Sequence, residues 1–142
     1  MKKYTEEELT GKFVIVFDTL VDGNQCMMEG EEGDDDYAPL LFDSIDEAIK
    51  EIFDDNHSML ESHKDDNMLE EYNEGVTVEM VEEMKTILDS GKVDEMRKFI
   101  EQYPQCNDSG SWVESATEFR FGRKAFYGQS GVHIEGKKLS EL

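Results

Sequence analysis

The hydrophobic pattern changes period at Ser44, and that change limits the fold more than any other feature of the chain. Before it, apolar residues come in short runs: "KFVIVFDTLVDGNQCMM" is β-rich and is broken only by Asp22 and Gly23. An Asp-Gly pair supplies the positive φ that a type I′ turn requires, so this stretch predicts paired strands over Phe13–Val21 and Asn24–Met28. "EGEEGDDDY" is too polar to bury and is expected as an exposed loop, after which "APLLFD" makes a short third strand.

From Ser44 onward the period is helical. "SIDE" is a capping box, in which the Ser44 hydroxyl and the Glu47 carboxylate can each satisfy an orphan backbone N–H. Ile45, Ala48, Ile49, Ile52, Phe53, Met59 and Leu60 then fall on one stripe, expected to face the sheet, while Asp46, Glu47, Glu51, Asp54, Asp55 and Glu61 lie largely outside it. A polar passage, "SHKDDNMLEEYNEG", precedes a second helical stretch. There Met80, Val81, Met84, Ile87 and Leu88 form one stripe, Gly91 is placed to end the helix, and Val93, Met96, Phe99, Ile100 and Tyr103 form another before Pro104. This predicts an αα-hairpin. The aromatic and glycine-rich remainder after Ser111 predicts one or two further strands. The expected fold is α+β: a small antiparallel sheet, made of the N-terminal hairpin and further strands, packed against an amphipathic helix and an αα-hairpin.

At 142 residues the chain is expected to be one globular domain, since that length buries enough surface to fold without metal or disulfide staples. Cys26 and Cys106 have neither CxxC nor zinc-ligand spacing and read as reduced thiols. "MKKYTEEELTGK" has no apolar leader core, and no apolar run approaches the roughly 18 residues of a membrane span. A cytoplasmic protein without membrane attachment is the expectation.

Charge is distributed unevenly. Residues 13–90 hold 24 acidic side chains against three basic ones, Lys50, Lys64 and Lys85, which equals the net charge of −21 of the whole chain. Residues 91–142 balance eight against eight. The chain thus has an acidic half, 13–90, and a charge-balanced half, 91–142.

Several chemistries can be weighed against these residues. "FVIVFD", ending at Asp18, resembles the nucleophile strand of haloacid-dehalogenase-like phosphatases, a mechanism that needs a second carboxylate two residues later. Leu20 stands there instead. Glu135 and Lys137 imitate the E-x-K element of metal-dependent nucleases, but the acidic half opposes a nucleic-acid substrate. His57 and His63 are six residues apart and lie on different faces of a helix, and "DDDYAPLLFDSI" lacks the glycine and closing glutamate of an EF-hand. There is no phosphate-binding glycine loop and no nucleophile elbow. The expectation is a protein without catalytic activity, metal or cofactor.

The surplus of acid leaves an interaction role. Like charges three or four residues apart cost a helix roughly 0.2–0.5 kcal/mol per pair, and the chain carries many, among them Glu47 with Glu51, Glu51 with Asp54 and Asp55, and Glu79 with Glu82 and Glu83. Carboxylates at those spacings stand about as far apart as neighbouring phosphates on a nucleic-acid strand. In size and charge the chain resembles the small acidic DNA-mimic proteins with which phages and mobile elements block restriction or CRISPR effectors. That resemblance implies a basic nucleic-acid-binding protein as partner, no direct nucleic-acid binding, and a contact surface drawn from the acidic half. The candidate residues are Glu29, Glu31, Glu32, Asp34, Asp35 and Asp36 of the loop, Glu47, Glu51, Asp54 and Asp55 of the first helix, and Asp65, Asp66, Glu70 and Glu71 after it. The alternative is a small acidic adaptor whose charge serves only solubility. In "FRFGRKAFYG", Arg120, Arg123 and Lys124 alternate with Phe119, Phe121, Phe126 and Tyr127. That pattern reads as a half-buried strand whose cations pair with acids of the first half, with single-strand nucleic-acid stacking as its runner-up.

Overall fold

The computed structural model describes residues 4–19 and 23–117. Its elements run α1 (Glu6–Leu9), β1 (Phe13–Thr19), β2 (Gly23–Cys26), β3 (Met28–Glu29), β4 (Ala38–Pro39), α2 (Ile45–Asp65), α3 (Leu69–Tyr72), α4 (Val78–Ser90), α5 (Val93–Gln102), a 3-10 turn (Pro104–Cys106) and β5 (Trp112–Ser115). The fold is α+β, with a small antiparallel sheet. The chain divides into two compact units, Met1–Ala48 with Ser111–Leu142, and Ile49–Gly110. The division falls elsewhere than at the 90/91 charge boundary.

The first unit is built on the order β2-β1-β5, antiparallel throughout. β1 takes the centre because "VIV" can be covered on both faces: Val14, Ile15 and Val16 are all fully buried. β5 supplies Trp112 opposite Val16 and Val113 opposite Ile15. The Asp22-Gly23 turn expected from sequence is corrected by the register. Gly23 pairs with Thr19 and is therefore a strand residue rather than the second residue of a two-residue turn. The expected strand Asn24–Met28 is also divided. Met27 still donates its N–H to the Ile15 carbonyl, at 2.8 Å, but Met28 turns away to pair with Pro39. "APLLFD" accordingly forms only the two-residue β4 and a bridge between Phe42 and Phe13. Pro39 has no N–H to give a longer ladder. Ahead of the sheet, Thr5 and Glu8 exchange side-chain bonds with each other's N–H, at 3.2 and 3.1 Å, and so cap α1.

In the second unit the apolar stripe of α2 is buried at Ile49, Ile52, Phe53 and Leu60, and the Phe53 ring meets Phe99 of α5 edge-on at 5.8 Å. Met59 is half-buried, and Ile45, assigned to the same stripe but lying at the start of the helix in the first unit, is 40% exposed. The helix runs on through Asp65, and the passage read as polar holds the single turn α3. The αα-hairpin forms as expected. Thr77 caps α4 by accepting from the Met80 N–H at 3.2 Å, and Gly91, at φ +68°, ends it with its N–H on the Ile87 and Leu88 carbonyls. Val81 and Met84 of α4 and Met96, Phe99 and Ile100 of α5 are buried. The basic-aromatic stretch 119–127 and the Glu135/Lys137 pair lie outside the described residues.

Candidate functional site

The fourteen candidate acids fall into two groups that belong to different compact units. In the first unit, Glu29 ends β3 and is exposed, and Glu31, Glu32, Asp34, Asp35 and Asp36 are exposed on residues 30–37, the loop that joins β3 to β4. The loop is more ordered than its composition implies: Asp34 donates its N–H to the Glu31 carbonyl at 3.1 Å and Tyr37 to that of Asp34 at 3.2 Å. Gly30 makes its closure possible. Its φ is +83°, and a Cβ there would stand 3.3 Å from the Asp36 carbonyl oxygen and the Tyr37 Cα.

Glu47, in the first turn of α2, has a structural task. Ser44 Oγ accepts from the Glu47 N–H at 3.1 Å, and the Glu47 carboxylate reaches the N–H of Asp43 at 3.2 Å, one residue before the position a standard capping box would serve. Asp43 in turn is the ion-pair partner of Lys12.

In the second unit, Asp54, Asp55, Asp65, Asp66, Glu70 and Glu71 are exposed, and Glu51 is half-buried. At 3.6 residues per turn, Glu51, Asp54, Glu61 and Asp65 follow one edge of α2, with Asp55 beside it, opposite the buried stripe. This edge covers about 21 Å of helix axis. Three of these acids act on one another. Burial first, then the charge and hydrogen bond of Asp55 and the charge of Asp54, raise the Glu51 carboxyl above its ordinary value. Asp55 is also raised, by burial and by Asp54, against the lowering effect of its bond to Glu51.

Charge counts by unit qualify the polarity seen along the sequence. Among the described residues the first unit holds 14 acids and 1 base, the second 17 acids and 6 bases, so the two are almost equally negative. Within the second unit the imbalance is confined. Residues 49–83 carry 12 acids and 2 bases, whereas residues 84–110 carry 5 and 4. The acidic part is therefore α2, α3 and the start of α4.

Periodicity in apolar residues alone overlooked a buried polar network in this unit. Asn56 is 2% exposed and continues the α2 stripe one turn beyond Ile52. Its Nδ2 donates to the Ile52 carbonyl and to Asn107 Oδ1, both at 2.9 Å, and its Oδ1 accepts from the Ser109 N–H at 3.2 Å. Asn73, 3% exposed, donates Nδ2 to Asp108 Oδ1 at 3.2 Å, which turns its Oδ1 toward His63 Nδ1 at 2.5 Å. Because Asn73 Oδ1 can only accept, His63 carries its proton on Nδ1. His57, 6% exposed, lies 3.4 Å from Glu61 through Nε2. The signal was present in the sequence: Asn56 and His57 fall on the stripe at helical spacing. This network fastens residues 107–109 to α2 and reads as architecture.

Neither thiol is poised for chemistry. Cys26 and Cys106 are free and buried, and burial pushes each up to about 11. Among the described residues no group of three or more His, Cys, Asp or Glu side chains is placed to hold a metal ion, and no helix is long and apolar enough to cross a membrane. Asp18 lies on β1 opposite Asn24, in an antiparallel ladder, whereas a doubly wound fold would place its strand in a parallel sheet. No family model, curated protein or solved structure matches the chain.

Proposed function

We propose that the protein is a non-catalytic interaction protein whose acidic surface stands in for nucleic-acid phosphates and occupies the binding cleft of a basic nucleic-acid-binding protein, as anti-defence inhibitors of phages and mobile elements do. The observation that carries the proposal is the acidic edge of α2. Five carboxylates, from Glu51 to Asp65, are spread over about 21 Å of axis. That is somewhat sparser than the one phosphate per roughly 3.4 Å of a nucleic-acid strand. The Glu51–Asp54–Asp55 group keeps its mutual repulsion in the folded state, at a cost to the helix. A basic cleft would relieve that cost, and unlike-charge steering would speed the encounter. Binding is expected to weaken with salt, since exposed charges are screened beyond about 8 Å at physiological ionic strength.

A second reading, charge for solubility alone, is favoured by the nearly equal negative charge of the two units. Immobilised protein and nuclease-treated lysate of the source cell separate the two. The mimic reading requires capture of a basic nucleic-acid-binding protein that elutes with salt and is lost when Asp54, Asp55, Asp65 and Asp66 are changed to Asn. Unchanged capture by that variant, or a captured protein with no nucleic-acid site, favours the solubility reading.

A further inference from the structure

The acidic part of the second unit also contains a cleft. It has a volume of about 440 Å3 and lies where α2 ends, α3 turns and α4 begins. Leu69 and Val76, 6% and 4% exposed, contribute its buried apolar lining, and Val78, 44% exposed, is on its open side. Large apolar side chains exposed to this degree are few among the described residues, and a second, Tyr72 at 59%, belongs to the same short helix as Leu69. The charged lining consists of Glu70, Glu79 and a single cation, Lys64. Past Lys64 the neighbouring sequence is acidic: residues 65–83 contain eight acids and no base.

The rest of the lining is polar, Asn67 and Thr77, so the cleft offers an apolar patch of Leu69, Val76 and Val78 within a polar, mostly acidic rim, and that combination selects its occupant. A second copy of this chain brings a net charge of −21 and is repelled, as is any nucleic acid. The complementary occupant has an aliphatic side chain for Leu69, Val76 and Val78 and cations on either side for Glu70 and Glu79. We propose that the cleft is the anchor point of the partner interface, and that it receives a leucine-sized side chain from a basic amphipathic segment of the partner protein. The proposal rests on the acidic-mimic reading for the sign of the partner's charge, and on the cleft for the position of the contact. It supplies what an acidic edge lacks. Exposed charges govern encounter and salt dependence, whereas a desolvated apolar anchor at the centre of an interface contributes most of the affinity and slows dissociation.

The test uses the full chain, labelled with nitrogen-15, and two short synthetic helical peptides of lysine and alanine. One carries two leucines a turn apart, and the other has alanine in their place. The leucine peptide should bind about tenfold more tightly, the value of one buried aliphatic side chain. The amide shifts that depend on leucine should centre on Leu69, Val76 and Val78. Val78→Ser should reduce the leucine advantage to about twofold, and Val78→Thr, which keeps the shape, carries this arm if Val78→Ser lowers the melting temperature. Equal affinity for the two peptides, with shifts along the α2 edge and none at the cleft, overturns the anchor and leaves the acidic-mimic reading standing. Binding of neither peptide at low salt overturns both.

Discussion

Glu51 and Asp55 stand one turn apart on α2 with Asp54 alongside, and burial first, then neighbouring carboxylate charge, raises each above its ordinary value. A group raised on folding binds its proton more tightly in the native state. Its contribution to stability is therefore complete below the unfolded values, 4.5 for Glu51 and 3.8 for Asp55, and is lost as pH rises through the higher folded values. Glu51→Gln should remove this loss and stabilise the protein at pH 7 by about 0.2–0.5 kcal/mol, the size of a relieved like-charge pair on a helix. Urea melts of both proteins across that pH range check it: the gap between them should close on the acid side.

The buried network predicts the opposite sign. Asn56→Ala removes the bonds to the Ile52 carbonyl, Asn107 and the Ser109 N–H and should cost about 1–3 kcal/mol. Asn56→Asp should be worse at pH 7. It keeps an acceptor for Ser109, but buries a charge and sets an oxygen against the Ile52 carbonyl and Asn107 Oδ1, to which Nδ2 now donates. Chemical denaturation ranks the two variants, and an Asn56→Ala melt equal to wild type would remove the structural role assigned to this residue.

How much of the fold is legible in the sequence depends on whether local chemistry or long-range pairing decides each element. The Ser44 box, the Thr77–Gly91 limits of α4 and the α4–α5 hairpin follow from caps and 3.6-residue spacing, which nearby residues settle on their own. The sheet does not follow in the same way. That Met28 leaves β2 to pair with Pro39, and that Gly23 faces Thr19, are matters of register between separated segments, to which a single strand sequence is nearly indifferent. Asn56 and His57 escape notice because a stripe defined by apolar residues has no place for buried polar ones. For the candidate site, exposure of the loop and helix acids is legible from their polarity. The structural engagement of Glu47 and the mutual interaction of Glu51, Asp54 and Asp55 need the geometry.

Gly91 tests the hairpin between α4 and α5. It adopts φ +68°, and a Cβ added there would meet nothing within 4 Å, so Gly91→Ala encounters backbone strain alone. The expected loss is about 1 kcal/mol, measured as a lower denaturation midpoint with unchanged slope.

Both thiols should be silent in the native protein. With values of about 11, Cys26 and Cys106 present roughly one thiolate in a thousand at pH 8, and burial blocks access as well. Titration with a chromogenic disulfide reagent should show slow native labelling and rapid labelling of both in denaturant. Fast native reaction of either would show that its surroundings open in solution.

A competition titration tests most directly whether the acidic surface occupies a nucleic-acid cleft. The captured basic partner is bound to its own labelled nucleic acid, and the protein is added at low and at physiological salt. Displacement is expected, with an inhibition constant that weakens as salt rises. It should weaken further when Asp54 and Asp55 are replaced by Asn, and separately when Asp34, Asp35 and Asp36 are, with melting temperatures no lower than wild type because these side chains are exposed. A partner that keeps its nucleic acid at saturating protein, or an inhibition constant indifferent to both salt and these substitutions, would contradict the mimic reading.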